Sequence, residues 1–330
     1  MRMKVSTGHP EQIAVLMPVR DDWTSVAELI RRLDRTFNSY HYQFAVILVN
    51  DGSVQSWLKN DFEHPFTAVR SIRIINLKRN VGHQRAIAIG LTFVFEALPC
   101  DGLLVMDADG EDTPEGALQL LQAFSAGNGS KAVFAERTRR SESLLFRTSY
   151  VVYRTLHWIL TGLKVRVGNF CVIPESYLLT LTVLSDLWNH FAAAVFHARL
   201  PFVLVPIPRG HRIAGVSKMN FVALVKHGLS AISVFGDRVG VRILIASLVG
   251  AFLAFVGICS AVWVRLFTEL AIPGWATYVF GTLAIILIQL ITIASSFTFF
   301  MLSNRTNLGF VPLRDCPLFI QDSIEVYRHV

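Results

Sequence analysis

Two long stretches without a charged residue occupy the last third of the chain and restrict its fold more than any other feature. Residues 243–264 would form a helix about 33 Å long, and a bilayer core is about 30 Å thick. The second stretch covers residues 270–304, in which Pro273 and Gly274 predict that the helix begins near Trp275. We therefore predict two antiparallel membrane-spanning helices rather than two buried core helices.

The basic residues around these stretches predict their orientation. Arg238 and Arg242 precede the first stretch, Arg305 and Arg314 follow the second, and Arg265 lies alone between them. Because positive residues flank membrane helices on the cytoplasmic side, both termini are predicted to be cytoplasmic. The first ten residues are polar and basic, so we expect no signal peptide.

The part of the chain before residue 240 has the composition of a basic soluble domain. The last 90 residues hold only five of the 31 Lys and Arg residues and four of the 24 Asp and Glu residues. The whole chain is 17% charged, against a usual value of about 25%, and its net charge is +7. Its four cysteines show no CxxC spacing, which indicates a reducing compartment and neither a disulfide framework nor a zinc site.

Apolar strands and helix-like segments alternate in the first half of this domain. Strands are predicted at residues 13–17, 44–49, 71–77, 103–106 and 132–134, and helices at residues 24–37, 83–98 and 114–124. Such alternation predicts an α/β fold whose mostly parallel sheet is covered on both faces, with ligands at the carboxyl ends of the strands. No Walker loop and no GxGxxG motif is present, which argues against a P-loop or a dinucleotide site.

The densest acidic cluster, residues 107–112, directly follows the fourth predicted strand. Asp107 and Asp109 alternate at the strand end, so both carboxylates can turn toward one hard cation. Oxygen ligands of this kind suit Mg²⁺ or Mn²⁺, which keep several waters and share substrate phosphates. A solvated acidic turn is the competing interpretation.

Six short motifs occur in an order that resembles one known family. They are Pro18-Val-Arg-Asp-Asp22, Asn50-Asp-Gly-Ser53, Arg79-Asn-Val-Gly-His-Gln84, Met106-Asp-Ala-Asp-Gly-Glu-Asp-Thr-Pro-Glu115, Gly168-Asn-Phe170 and Arg212-Ile-Ala-Gly-Val-Ser-Lys218. This order resembles the inverting family-two glycosyltransferases of the GT-A fold, and within them the polyprenol-phosphate branch. Dolichol-phosphate mannose synthase and the bacterial undecaprenyl-phosphate glucosyltransferases belong to that branch.

The resemblance implies a nucleotide-sugar donor, carrying UDP or GDP, and a divalent metal. The residues that it places at the donor are Pro18, Asp22, Asn50, Asp51, Ser53, Asn80, Gly82, Gln84 and Asp107. The metal ligands would be Asp107, Asp109 and Glu111, and the catalytic positions Asp107, Asp109 and Asn169. Helix N-capping is the alternative role for Asp22 and Asp51.

A basic segment indicates where the acceptor binds. Residues 137–166 hold seven Lys and Arg residues and one acid, and Arg140, Arg147 and Arg154 share one face of a predicted interfacial helix. By resemblance, Arg137, Arg147, Arg212 and Lys218 contact the acceptor or the diphosphate. The predicted division is a cytosolic GT-A domain (residues 1–216, with the interfacial helix at about 143–162), a juxtamembrane amphipathic helix (217–240), two transmembrane helices (241–304) and a cytosolic tail (305–330).

Two residues depart from the motifs of that family. Asn50 replaces the first Asp of D-D-G-S, and Asn169 replaces the Asp of G-D-F, a candidate general base. Either the acceptor is a phosphate monoester that needs no base, or the protein is a non-catalytic relative or scaffold that binds nucleotide-sugar or lipid carrier. The first interpretation predicts a multi-pass enzyme of the bacterial inner membrane that glycosylates undecaprenyl phosphate, for cell-envelope glycan or lipopolysaccharide modification. Its partners would be the nucleotide-sugar, the polyprenyl phosphate and the bilayer, with no nucleic acid, and a homo-oligomer stays open.

Overall fold

A computed structural model describes residues 11–58, 61–137, 155, 158–162, 167–215, 228–268, 274–306 and 309–329. The chain divides into two compact units. The sheet unit comprises residues 1–153, 165–234 and 310–330, and the helical unit comprises residues 154–164 and 235–309. The helical unit is therefore inserted into the sequence of the sheet unit.

The sheet unit contains eight strands. They are β1 (Glu11–Val19), β2 (Tyr42–Asn50), β3 (Val69–Leu77), β4 (Gly102–Val105), β5 (Ala132–Arg137), β6 (Val167–Pro174), β7 (Phe202–Ile207) and β8 (Ile320–Arg328). Its helices include α1 (Trp23–Phe37), α2 (His83–Ala97), α3 (Pro114–Ala126), α4 (Glu175–Thr182), α5 (Phe191–His197) and the short α8 (Pro312–Asp315). The two long helices of the helical unit are α6 (Gly236–Phe267) and α7 (Trp275–Thr306). All five predicted strands and the three predicted helices of the first half are confirmed.

The eight strands form one mixed sheet in the order β7-β5-β6-β4-β1-β2-β3-β8. The pairs β1–β2, β2–β3, β1–β4 and β5–β7 are parallel, whereas β6 and β8 run antiparallel to their neighbours. The predicted α/β fold with a mostly parallel sheet is confirmed. The sequence pattern did not predict β6 and β7, which lie beyond the regular alternation of strand and helix.

Apolar side chains on both faces of the central strands form the core. Ile13, Val15 and Met17 of β1 are buried on the face that α1 and α3 cover. Ala14 and Leu16 are buried on the other face, in the cluster that contains the apolar residues of α2. Because helices cover both faces, only the ends of the strands remain available for a site.

The helical unit consists of two long apolar helices and a short segment beside the first of them. Helices α6 and α7 are long and apolar enough to cross a membrane, and only 11% and 6% of their most apolar parts are buried inside the protein. A core helix of a soluble protein would instead be mostly buried. The buried residues of α6 are small and recur every seventh position, at Gly240, Ser247, Ala254 and Ala261, as expected where two helices pack closely.

Most of the predicted interfacial helix at residues 143–162 lies outside the described residues. Residues 158–161 are helical, and the Arg242 guanidinium donates hydrogen bonds to the carbonyl oxygens of Trp158 and Ile159. The first part of the predicted juxtamembrane helix, residues 217–227, also falls outside the described part of the chain, and in its second part residues 228–233 and 236–240 are helical.

The C-terminal segment belongs to the sheet unit. Strand β8 pairs antiparallel with β3, so that residues 320–328 close one edge of the sheet. The Tyr327 ring packs edge-to-face on Phe66, and its hydroxyl accepts a hydrogen bond from the Phe66 N–H at 3.1 Å. The segment that we predicted to be a tail thus contributes an ordered edge strand.

Candidate active site

The described residues of the six motifs converge on one edge of the sheet. The parallel strands β1, β2, β3, β4 and β7 all end there, and the antiparallel strand β6 begins there. The segments at this edge are residues 18–22, 50–55, 78–84, 106–113, 167–170 and 208–215. This edge is where open α/β sheets bind their ligands, and we therefore treat it as the candidate active site.

The acidic turn after β4 is closed by its own side chains. Asp112 accepts a hydrogen bond from the Asp107 N–H at 2.8 Å, and Asp109 accepts one from the Glu111 N–H at 3.0 Å. Thr113 then caps helix α3 by accepting from the Gly116 N–H at 3.1 Å. These bonds leave the turn well defined, because both ends of the acidic segment are fixed.

The loop after β7 holds two arginines against this acidic turn. Arg212 donates to Asp109 at 3.2 Å and to Asp22 at 3.1 Å, and Arg209 forms an ion pair with Glu111. Backbone N–H groups of the same loop bind the carbonyl oxygens of Glu111 and Asp109, each at 2.9 Å. The acidic turn and the basic loop therefore form one charged cluster, in which Asp22 makes no helix-capping hydrogen bond.

The carboxylates of this cluster repel one another, and a cation bound between them would reduce that repulsion. Burial raises the pKa of Asp109, and the nearby charges of Asp107 and Glu111 raise it further, while Arg212 and the Glu111 N–H oppose the shift. Among the described residues no three His, Cys, Asp or Glu side chains are grouped as in a metal site, so the predicted set with Glu111 is not assembled. Mg²⁺ is commonly bound by one or two carboxylates together with substrate phosphates, so Asp107 and Asp109 stay the predicted ligands.

Asp51 organises the neighbouring loop. Its carboxylate accepts the Val81 N–H at 2.6 Å, the Gly82 N–H at 3.0 Å and the Asn80 side-chain amide at 3.0 Å. The side chain is only 4% exposed, and burial raises its pKa although the two backbone N–H groups lower it. Asp51 thus fixes the loop that leads into α2, where the predicted donor residues Asn80 and Gly82 lie.

Gly52 allows the loop after β2 to approach the loop after β3. Its φ of +67° lies in the left-handed region, and a Cβ atom there would stand 2.8 Å from the Asn80 backbone nitrogen. The next residue, Ser53, donates its N–H to Asn50 and accepts the Asp21 N–H, each at 3.0 Å. The predicted donor residue Pro18 is buried in β1 and pairs with Val49 of β2.

A chain of amides connects helix α5 with the acidic turn. The Phe191 N–H donates to Gln84 at 2.8 Å, and the Gln84 amide donates to the Asn169 oxygen at 3.1 Å. This leaves the Asn169 amide nitrogen 3.1 Å from His83 Nε2, which lies 3.2 Å from an Asp107 oxygen. Desolvation lowers the pKa of His83, but the carboxylates around it outweigh this effect and the pKa is raised.

Most predicted site residues that the structure describes lie at this edge, but not all are described. Arg147 and Lys218 lie outside the described residues, and so does the side chain of Arg137, the last residue of β5. Three residues of the site were not predicted. They are Arg209, Asp112 and Asn76, whose oxygen accepts a hydrogen bond from the Asn50 amide at 2.9 Å. Arg209 could have been noticed because it stands three residues before Arg212, whereas Asn76 sits in an apolar strand and gave no signal.

Comparisons with known proteins agree with this geometry. Residues 14–177 match the profile of Glycosyl transferase family 2. The chain is 24% identical over 274 residues to the uncharacterized glycosyltransferase YkcC of Bacillus subtilis, and the aligned region covers 81% of this chain and 82% of that protein. It is also 24% identical over 226 residues to undecaprenyl-phosphate 4-deoxy-4-formamido-L-arabinose transferase of Klebsiella pneumoniae. That aligned region covers 65% of this chain and 64% of that protein.

A solved structure shows the same fold. It is glucosyl-3-phosphoglycerate synthase of Mycobacterium tuberculosis in complex with Mn²⁺, UDP and glucosyl-3-phosphoglycerate. The TM-score is 0.50 at 16% identity, over 70% of this chain and 80% of that chain. The family match identifies the chain as a glycosyltransferase that contains a family 2 domain, and the likeness to the solved structure shows the GT-A fold of that domain.

Proposed function

We propose that this glycosyltransferase moves a sugar from a nucleoside diphosphate sugar to a polyprenyl phosphate, with inversion at the sugar carbon. The product would be a lipid-linked monosaccharide, used for cell-envelope glycan or lipopolysaccharide modification. The observation that carries the proposal is the charged cluster of Asp22, Asp107, Asp109 and Arg212 at the edge of a GT-A sheet whose chain continues into two apolar helices. The Klebsiella relative, by its name, acts on undecaprenyl phosphate.

The donor would bind across the ends of β1, β2 and β3. Asp22 and the loops fixed by Asp51 and Asn50 form the nucleotide end of this edge, and the acidic turn forms the diphosphate end. Asp107 and Asp109 would hold Mg²⁺ or Mn²⁺, which supplies charge neutralisation to the departing nucleoside diphosphate. The relative of known structure was solved with Mn²⁺ and UDP, and this supports the choice of metal and nucleotide class.

The Arg212 guanidinium has N–H donors left to bind a phosphate group. A guanidinium has five N–H donors, and the contacts with Ala214, Asp109 and Asp22 use three of them. The remaining donors suit phosphate oxygens, which arginine binds in a bidentate manner. We therefore assign Arg212 to the donor diphosphate or the acceptor phosphate, together with the predicted residues Arg137, Arg147 and Lys218.

The acceptor would supply its own nucleophile. A phosphate monoester has a second pKa of about 6, so at neutral pH it is largely a dianion and needs no general base. Its oxygen attacks C1 of the sugar, while the bond from C1 to the diphosphate oxygen breaks and the electron pair leaves with the nucleoside diphosphate. Asn169 cannot take up a proton, and its contacts with Gln84 and His83 suit a side chain that positions the substrate.

The edge strand β8 supports a hairpin of membrane helices. The chain leaves the sheet unit before Gly236 and has returned to it at Phe310, because β8 pairs with β3. A return to the same side requires an even number of crossings, and α6 and α7 supply two. With Arg238 and Arg242 before the first crossing and Arg314 after the second, the positive-inside rule favours cytoplasmic termini in a bacterial inner membrane.

The test uses the purified full-length protein with undecaprenyl phosphate, Mg²⁺ or Mn²⁺, and a panel of UDP- and GDP-sugars. A lipid-linked sugar in the organic phase, absent with Asp109→Asn, is the expected result. Glu325→Gln is the matched control, because Glu325 lies on β8, away from the acidic turn, and pairs with Arg73 at 3.5 Å. If wild-type protein binds nucleotide but forms no lipid product with any donor, the non-catalytic alternative is favoured and the proposal fails.

A further inference from the structure

Three polar side chains form a row across the three last strands of the sheet. Asp322 of β8 stands opposite Asn76 of β3, which stands opposite Asn50 of β2. The Asn76 amide donates to the Asp322 carboxylate at 2.6 Å, and the Asn50 amide donates to the Asn76 oxygen at 2.9 Å. The row ends at the loop after β2, where the Asn50 oxygen accepts the Ser53 N–H at 3.0 Å.

The carboxylate at one end sets the direction of every hydrogen bond in the row. An ionised aspartate only accepts hydrogen bonds, so Asn76 must turn its NH₂ group toward Asp322 and its oxygen toward Asn50. Asn50 must then present its NH₂ group to Asn76, which leaves its own oxygen for Ser53. One charged residue on β8 thus orients two amides.

The row continues into the loop that follows β2. The Ser53 hydroxyl accepts the Asp21 N–H at 3.0 Å, and the Asp21 carboxylate accepts the N–H groups of Val54 and Gln55 at 2.7 and 3.0 Å. The segments after β1 and β2 are therefore tied together through Ser53. We call residues 50–55 the donor loop.

We propose that Asp322 is a positioning residue for the donor loop, acting through Asn76 and Asn50. This inference rests on the proposed function, in which the donor loop binds the nucleotide end of the sugar donor. It also explains the amide at position 50, where the motif D-D-G-S has an acid. An aspartate at position 50 and Asp322 would both require the single NH₂ group of Asn76, which faces only one of them.

This explanation gives a reciprocal test. Asn50→Asp places a second carboxylate in the row, and Asp322→Asn removes the first. In the double variant the Asn76 side-chain amide can rotate by half a turn. Its NH₂ group then donates to the new carboxylate on β2, and its oxygen accepts from the new amide on β8. The row forms again, with every hydrogen bond between the strands reversed. A purely structural role of Asp322 in docking β8 would give no such rescue.

Steady-state kinetics with the best donor of the panel measures the effect. We expect Asn50→Asp to raise the donor KM about tenfold, since one hydrogen bond of the row is replaced by repulsion. Asp322→Asn alone should raise it about threefold, because an amide can still accept but no longer enforces the direction. The double variant should return to within about twofold of wild type, with kcat nearly constant throughout.

Glu325→Gln is the matched control on the same strand. Glu325 pairs with Arg73 at 3.5 Å and with Arg328 at 2.9 Å, so this substitution removes the same charge from β8 without entering the row. Its donor KM should stay at the wild-type value. A double variant no better than Asn50→Asp, or an equal KM change in Glu325→Gln and Asp322→Asn, would overturn the proposal.

Hydrogen exchange of the peptide covering residues 50–58 separates this inference from the proposed function. Asn50→Asp should speed the exchange of the Ser53, Val54 and Gln55 amides, and Asp322→Asn should restore their protection in the double variant. This readout needs no donor or acceptor. Unchanged protection in every variant refutes the row as a positioning device, whereas a missing lipid product refutes the proposed function alone.

Discussion

Asp51 allows a direct test of how the donor edge is built. We predict that Asp51→Asn destabilises the protein because the carboxylate accepts two backbone N–H groups, of Val81 at 2.6 Å and Gly82 at 3.0 Å. An amide can satisfy only one of them and turns its own NH₂ group toward the other. A buried donor without its partner costs about 1–3 kcal/mol, so Asp51→Asn should lose about that amount and Asp51→Ala about twice as much.

The matched control is another buried aspartate with the same kind of partners. Asp34 is 7% exposed and accepts the backbone N–H groups of Thr67, Ala68 and Val69 at 2.7–3.0 Å. These residues lie at the amino end of β3, on the edge of the sheet opposite the candidate active site. Asp34→Asn should therefore cost a similar amount of stability without affecting the donor.

The assay combines thermal unfolding of the detergent-solubilised protein with binding of UDP and GDP. A loss of about 1 kcal/mol lowers the midpoint by about 2–4 °C in a domain of about 150–250 residues, so both variants should shift by several degrees. Only Asp51→Asn should also weaken nucleotide binding, by about tenfold, because it loosens residues 80–82. Wild-type stability in Asp51→Asn together with lost binding would refute this reasoning and make Asp51 a direct nucleotide ligand.

Three further predictions concern the same edge. Asp109→Asn should abolish transfer and change how the stability of the metal-free protein depends on pH. Burial raises the pKa of Asp109, so its ionisation opposes folding as the pH rises past the unfolded pKa, and the unfolding midpoint of the wild type should fall more between acid and neutral pH than that of Asp109→Asn. Gly52→Ala should lose more than the about 1–2 kcal/mol that its φ of +67° costs, because the added Cβ would also stand 2.8 Å from the Asn80 nitrogen, and it should raise the donor KM. Gly127→Ala, at a φ of −87°, should be nearly neutral in thermal unfolding. Asn169→Asp should change kcat less than about twofold between about pH 6 and 8 if the acceptor is a phosphate dianion, and a large gain would indicate a missing general base.

The first half of the sheet unit was predictable because its strands are continuous apolar runs separated by amphipathic helices. The run at residues 44–49, for example, is buried on both faces of the sheet as β2, so no tertiary information was needed to identify it. The two long apolar helices were predictable for a similar reason, and α7 begins at Trp275 as the Pro-Gly pair indicated. The local sequence pattern was sufficient to predict a strand or helix wherever its apolar residues form a continuous run or one face of a helix.

The partners of the site residues could not be predicted, since they depend on contacts between distant segments. Asp109 and Arg212 are 103 residues apart, and Asp22 and Arg212 are 190 residues apart. The motifs identified these residues as functional, but not that one guanidinium bridges both carboxylates. Likewise, Asp51 was predicted to contact the donor, although its carboxylate is engaged by the backbone of residues 81 and 82.

The edge strand β8 shows why the C-terminal segment cannot be treated as a tail. A strand that follows two long apolar helices has no neighbour in sequence to pair with, so pattern alone assigns it no place in the sheet. In the structure it covers the edge of β3 and brings Asp322 to the row that ends at Ser53. Removing residues 310–330 would therefore expose the unpaired edge of β3 and also release the donor loop, so the helical pair is an insertion into the catalytic domain rather than an anchor at its end.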